Sequence, residues 1–350
     1  MPTTYAIPNG RTVMDATTWT GTNSTGALTV SNLQFKPDFV WSKARSQAFN
    51  NQLTDSVRGV NKTLKSNATD AQDTTNISGA ISSFNSNGFT ATPGSSDNWY
   101  WNYNGGTFVG WCWQAGAGTT STNTSGSITS TVSVNATAGF SVVTYTGNGT
   151  SGATVGHGLG VAPQFIITKS INQAQNWNCY HVSIGASAGI YLNLTQGQGN
   201  TTAYWNGVTP TSSVFTLGNS GETNSNGNLI LAYCWAPVAG FSSFGSYVGN
   251  GSTDGPFVYT GFRPKFVMIK ESTNGTSGDW IIQDTSMNTY NTANQYLLPN
   301  STSSQGTDSV FDILSNGFKI RNTFPSWNNN GNSYIYMAFA ENPFKYANAR

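Results

Sequence analysis

Gly147-Asn148-Gly149-Thr150-Ser151-Gly152 spells G-x-G-x-x-G, the spacing with which a glycine loop cradles a dinucleotide pyrophosphate. That chemistry needs a helix N-terminus directly after the loop and an acidic residue about 20 positions on. The next residues, Ala153-Thr154-Val155-Gly156-His157-Gly158, offer neither. The stretch reads as a turn, and Gly249-Asn250-Gly251 repeats it further along. His157 and His181 are the two histidines, and no Asp or Glu lies within 40 residues of either in sequence to orient a general base. Both read as loop or strand-end residues. Cys112, Cys179 and Cys234 are odd in number and widely spaced, which suits neither a disulfide framework nor a zinc site. Among the 14 carboxylates, no pair is spaced in a way that marks it for acid–base work on a glycan. Asn224-Ser225-Asn226-Gly227 and Asn328-Asn329-Asn330-Gly331 echo a calcium loop. Amides stand there in place of carboxylates, and no bidentate Glu comes after them. No metal and no organic cofactor is expected.

One segment has the residue types to bind a ligand: Trp99-Tyr100-Trp101-Asn102-Tyr103. Read as a strand, its alternation puts Trp99, Trp101 and Tyr103 on one face and Tyr100 on the other. Rings beside amides supply stacking plus hydrogen bonds, as a sugar-binding surface requires. A core face or a subunit interface would use the same pattern, so these residues are candidates for a glycan contact or a subunit contact.

The elements that must position such residues repeat. An aromatic followed by a Gly/Asn turn occurs at Trp19-Thr20-Gly21, Tyr145-Thr146-Gly147 and Tyr247-Val248-Gly249. In each copy a proline then precedes an apolar strand that ends in lysine: Pro37 to Lys43, Pro163 to Lys169, and Pro264 to Lys270. Ala138-Gly139-Phe140-Ser141 returns as Ala239-Gly240-Phe241-Ser242 at an offset of 101, and Pro163 to Pro264 gives 101 again. Each copy closes on a strand: Phe108 to Trp113, Leu229 to Trp235, and Tyr334 to Phe339. Cys112 and Cys234 occupy one position in two copies, as small hydrophobes of each copy's core. A period of about 100 residues is domain-sized and too long for a solenoid. Short β-branched and aromatic runs bounded by Gly and Asn predict antiparallel strands, about seven per copy. The expected fold is all-β: three tandem antiparallel β-sandwich, jelly-roll-like repeat domains. Their expected bounds are 1–115 (with an N-terminal arm, 1–11), 139–238 and 239–350. The stretch 116–138, almost wholly Gly, Ser, Thr, Asn and Ala, is expected to be an extended linker.

Composition narrows the partners. Only 8% of the residues are charged, against roughly 25% in ordinary domains. With 11 Trp, 15 Tyr and 19 Phe there is ample surface to bury, so disorder is excluded for most of the length. The 15 Lys and Arg are scattered, and Arg58, Lys62 and Lys65 have Asp55 and Asp70 beside them. No basic stripe for nucleic acid is visible, no apolar run of about 18 residues for membrane insertion, and no secretory signal after Met1.

Asp55-Ser56-Val57-Arg58-Gly59, Leu64-Lys65-Ser66-Asn67, Ser82-Ser83-Phe84-Asn85-Ser86-Asn87-Gly88-Phe89 and Gly110-Trp111-Cys112-Trp113 together resemble an uncharacterised repeat-domain family in virion structural proteins of marine tailed bacteriophages. Gly139 to Gly147 with Val155 to Pro163 is similar to its middle copy, and Tyr334 to Tyr346 with Ala349-Arg350 to its C-terminal copy. The resemblance covers nearly the whole chain, including both ends, so a complete gene product is expected. It implies a non-enzymatic virion structural protein, made in the host cytoplasm and carried on the virion surface. The first expectation is a tail fibre or tail appendage contacting the host surface; the alternative is a capsid (head) decoration protein, and the third reading a glycan-degrading depolymerase. The family brings no catalytic residues. Expected partners are the chain itself, as a trimer or ring covering its strand edges, other virion proteins, and a host surface glycan. Nucleic acid is not among them.

Overall fold

The computed structural model describes residues 5–22, 26–273 and 275–343. Residues 1–4 of the expected arm, and 344–350 of the C-terminal motif, lie outside the described residues. The described chain is all-β, with strands in several antiparallel sheets and helix only in single turns.

Each third of the chain builds a four-stranded sheet in one order: opening strand, closing strand, lysine strand, fourth strand. In the first third these are Met14–Thr20, Thr107–Trp113, Phe39–Ala44 and Gln52–Asp55. In the middle third they are Phe140–Thr146, Leu229–Trp235, Phe165–Ser170 and Asn178–His181. In the last third they are Ser242–Val248, Ser333–Pro343, Phe262–Glu271 and Ile281–Asp284. The registers correspond. Cys112 lies opposite Asp15 and Val40, Cys234 opposite Ser141 and Ile166, and Ala338 opposite Ser243 and Val267. All three cysteines are free and buried. Pro37 and Pro163 stand two residues before their strands. Pro264 instead lies within Phe262–Glu271, where the register shifts on both sides of it. A residue with no N–H to give the ladder is tolerated at such a bulge.

Each four-stranded sheet is apolar on both faces, and the first two lysine strands are buried at every residue. Phe39-Val40-Trp41 and Phe165-Ile166-Ile167 are continuous apolar runs, the pattern of a strand covered on two sides. One face packs on a smaller sheet of its own third. Val40 and Cys112 meet Phe89 and Trp101 in the first third; Ile166 and Cys234 meet Val155 and Phe215 in the middle. The other faces of all three sheets meet in one common core. There Phe39 stacks on Tyr233 at 4.1 Å, and Trp113 stands edge-on to Trp235 at 5.8 Å and to Phe339 at 5.7 Å. The thirds therefore differ from separate domains with private cores: their largest core exists only when all three are together.

The seams around this core are cyclic. The residue before each fourth strand donates to a carbonyl of another third: Asn51 Nδ2 to Leu298 (3.3 Å) and Ser301 (3.1 Å), Trp280 Nε1 to Tyr191 (2.8 Å), and Trp177 Nε1 to Lys65 (2.9 Å). The last residue of each fourth strand is bound across the same seams. Trp111 Nε1 donates to Asp284 (2.9 Å), Tyr233 Oη to Asp55 (2.9 Å), and His181 Nε2 pairs with the Tyr336 carbonyl (3.1 Å). Backbone amides of three glutamines complete the pattern: Gln72 to Ile171 O, Gln198 to Ser272 O and Gln305 to Arg45 O. First binds third, third binds middle, middle binds first. A heterologous contact of this kind closes into a ring when its rotation allows, and here it closes within one chain.

The expected linker at 116–138 is ordered. Ser121–Asn123 pairs with Ser130–Asn135, which pairs with the opening strand Phe140–Thr146; with Ala188–Tyr191 and Gly199–Asn200 added at the opposite edge, the middle sheet has eight strands. The buried Asp38 carboxylate accepts from the amides of Ala115 (2.7 Å), Ala117 (2.8 Å) and Gly118 (2.7 Å), which fixes where the segment leaves the first third. Ile128 and Val132 anchor it in the middle core. Composition points to a linker, whereas the spaced apolar residues Ile128, Val132 and Val134 are what hold it down.

Candidate functional site

In each third a single helical turn precedes the closing strand: Trp99–Asn102, Gly221–Asn224 and Pro325–Asn328. The asparagine ending each turn is buried and binds the Gly/Asn turn after the opening strand. Asn102 Oδ1 accepts from Thr22 N (2.6 Å), Asn224 Oδ1 from Asn148 N (2.9 Å), and Asn328 Oδ1 from Asn250 N (2.9 Å). One residue earlier, a backbone carbonyl accepts from the aromatic of the opening strand: Trp101 O from Trp19 Nε1 (2.8 Å), Thr223 O from Tyr145 Oη (2.6 Å), and Trp327 O from Tyr247 Oη (2.7 Å). Glycine is needed because the two backbones nearly touch. A Cβ on Gly21, Gly147 or Gly249 would lie 2.1, 2.4 or 2.3 Å from the carbonyl oxygen of Tyr103, Ser225 or Asn329. The glycine motif at 147–152 is part of this clasp, and Asn224 and Asn328, which open the two stretches that echo a calcium loop, are its amide caps.

The turns carry different side chains outward. Trp101 does not share a face with Trp99 and Tyr103, because helical rotation over Trp99–Asn102 turns it away from them. Trp101 is fully buried, parallel to Trp19 at 6.4 Å and edge-on to Phe89 at 5.8 Å. Trp99 is 51% exposed. It lies parallel to Phe49 at 5.9 Å and edge-on to Tyr103 at 6.1 Å, while Phe49 also meets Tyr103 at 5.7 Å and Tyr100 at 6.0 Å. Phe49 and Tyr100 thus join the candidate residues, and Trp101 leaves them for the core. The loop that brings Phe49 is held from below by the buried Lys43 ammonium on the Phe49 carbonyl. Amides flank the rings: Asn50 Nδ2 donates to Tyr100 Oη (3.1 Å), and Asn67 Nδ2 to Asn50 Oδ1 (2.7 Å).

At the same corner the middle third has a Tyr191–Tyr204 hydroxyl pair (2.6 Å), with Tyr191 also on Glu222 (3.2 Å). Burial, Tyr204 and Glu222 push Tyr191 well up from its ordinary value, so it stays a phenol at neutral pH. The last third has Phe324, 54% exposed, stacked on Trp327 at 4.8 Å.

Both histidines are saturated. His157 Nδ1 accepts from Leu159 N and its Nε2 meets the Thr211 carbonyl; His181 Nδ1 accepts from Ser183 N. Since Nδ1 accepts in each, Nε2 carries the proton and donates to its carbonyl. Burial lowers both pKa values, that of His181 to about 4. Burial raises the thiol pKa of all three cysteines, which suits packing and not nucleophilic chemistry. Among the described residues no group of three or more His, Cys, Asp or Glu is placed to hold a metal ion, and no helix is long and apolar enough to cross a membrane.

Taken together these features define an antiparallel β protein with a closed internal ring and an aromatic cluster on one outer corner. The model of the Domain of unknown function (DUF7483) family matches residues 10–343, and the chain belongs to that family. No curated protein and no solved structure matches the chain.

Proposed function

We propose that the chain is three copies of one β-sandwich unit serving as a non-enzymatic structural protein of a bacteriophage particle. It sits on the virion surface as a tail fibre or tail appendage that contacts the host. The observation that carries this is the cyclic seam set: one rigid body presents three equivalent corners with different side chains, as a display scaffold requires. The low charge, 8% of residues, agrees with packing beside other virion proteins with little repulsion. The resemblance of the motifs around Asp55, Ser82, Gly110 and Gly139 to phage virion proteins supports this reading. A second reading, a head decoration protein, is favoured by the three-way cyclic arrangement, which would fit a three-fold seat between capsomers. Assembly with further copies or with other virion proteins belongs to the proposal. The edge strands Ser121–Asn123 and Gly199–Asn200 and the exposed Phe257 and Tyr259 are the surfaces available for it.

Cryo-electron microscopy of intact particles tests it. Density for this chain on the tail is the expected result. Density on capsomers selects the second reading, and absence from purified particles, checked by mass spectrometry, overturns both.

A further inference from the structure

We infer that the corner formed by Phe49, Trp99, Tyr100 and Tyr103 is a binding site for an uncharged saccharide ring. The three helical turns serve as an internal control. Trp99 and Tyr103 stand where the middle third has Gly221 and Ser225 and the last third has Pro325 and Asn329. The clasp forms in all three, so the fold has no need of these rings. Holding an indole half in water costs free energy that burial would recover, and the same corner of the middle third does without one.

The chemistry of the corner selects the occupant. Trp99 and Phe49 are parallel, with Tyr103 edge-on to both, so the rings form one apolar step. Tyr100 Oη accepts from Asn50 and keeps its own proton to donate, and the side chains of Asn50 and Asn67 are neutral. The nearby carboxylate, Asp97, is engaged by the Trp99 amide (3.0 Å), and the nearby cation, Lys43, is buried under the loop. A ring with an apolar C–H face and hydroxyl edges matches a step of this kind bordered by amides. Four side chains fall far short of the roughly 20–30 residues a side of a stable protein–protein interface, which argues against a second copy as the occupant. The inference deepens the host-contact reading above but does not depend on where the protein sits in a particle.

Affinity electrophoresis of the full chain tests it, in native gels containing hydroxyethylcellulose, galactomannan, yeast mannan or dextran, with polygalacturonate as the acidic comparison. At least one neutral polymer is expected to retard the chain. Trp99→Gly and Tyr103→Ser install the middle third's own residues. They are expected to weaken retardation at least tenfold while the melting temperature stays within about two degrees of the parent. Retardation by polygalacturonate alone, by no polymer, or equally in parent and Trp99→Gly overturns the inference, as does self-association that Trp99→Gly abolishes. Particle localisation is scored separately, so either result can fail while the other stands.

Discussion

The Tyr233 hydroxyl and the Trp111 indole N–H each end on a buried carboxylate of another third, Asp55 and Asp284. Removing such a donor leaves a desolvated oxygen short of a partner, which costs about 1–3 kcal/mol. Tyr233→Phe and Trp111→Phe should each lower the denaturation free energy by about that amount, measured by guanidinium titration. His181 makes the third seam and adds a pH dependence. Its folded pKa, lowered by burial to about 4, lies below the ordinary 6.5, so the unfolded chain takes up a proton in that window and the folded chain does not. Stability should therefore fall as pH drops from about 6.5 to 4, and His181→Gln should flatten that slope. The lysines ending the repeated strands act at the other end of the scale. Burial lowers Lys43 to about 7 and Lys169 and Lys270 to about 8. Over the range above those values the unfolded amines hold protons that the folded ones have released, so stability should rise from about pH 7 to 9.5. Lys43→Met should remove part of that rise, read from melts at several pH values. The repetition of these lysines is legible from sequence; the carbonyls that Lys43 and Lys270 reach across the seams are not. Lys43 Nζ reaches Thr302 O at 2.9 Å, a contact between residues 259 apart.

At the scale of elements, the clasp between the Gly/Asn turn and the helical turn is the device the chain uses three times. Asn224→Ala removes the acceptor for Asn148 N and the donors to Thr150 O and Gly218 O, the last of these bonds buried and the other two partly so. The unmet groups should cost about 2–4 kcal/mol, and thermal melts would measure it. Much of this level is readable in advance: the opening, closing and lysine strands stand where the repeats put them, except that the last lysine strand begins before its proline, at Phe262. The helical turn at Trp99–Asn102 is not. Four residues hold too little periodicity to separate 3.6 from 2, and a run of aromatics favours strand by propensity. A usable signal does exist between the copies, because Asn102, Asn224 and Asn328 recur at a fixed distance before each closing strand. The ordered segment at 116–138 is hidden for a different reason. Ser, Thr and Gly mark linkers in charged proteins, but in this chain they are also the ordinary residues of strand surfaces.

The whole molecule should unfold as one. Trp113, Trp235 and Phe339 share a core to which every third contributes, so no third keeps its apolar face covered once another leaves. Calorimetry is expected to give a single endotherm with equal calorimetric and van't Hoff enthalpies; two resolved transitions would show that the common core is dispensable. The sequence-based motive for self-association is that three sandwiches leave many open edges and aromatics. The seams cover much of that surface inside one chain, and the motive for a trimer or ring is weaker for it. Nothing in the sequence shows which faces meet, since the seam donors Asn51, Trp177 and Trp280 differ in type at one position.

The cyclic closure also bears on synthesis. The seam between first and last thirds joins residues such as Arg45 and Gln305, so it cannot form until the ribosome has passed residue 305. Until then a nascent chain of two thirds leaves Trp111 without Phe266 and Asp284, and Trp113 without Phe266 and Phe339. At about 5–20 residues per second that interval lasts several seconds, long enough for partly made chains on one message to meet. Chaperone demand should accordingly be set by how fast the codons of the last third are read.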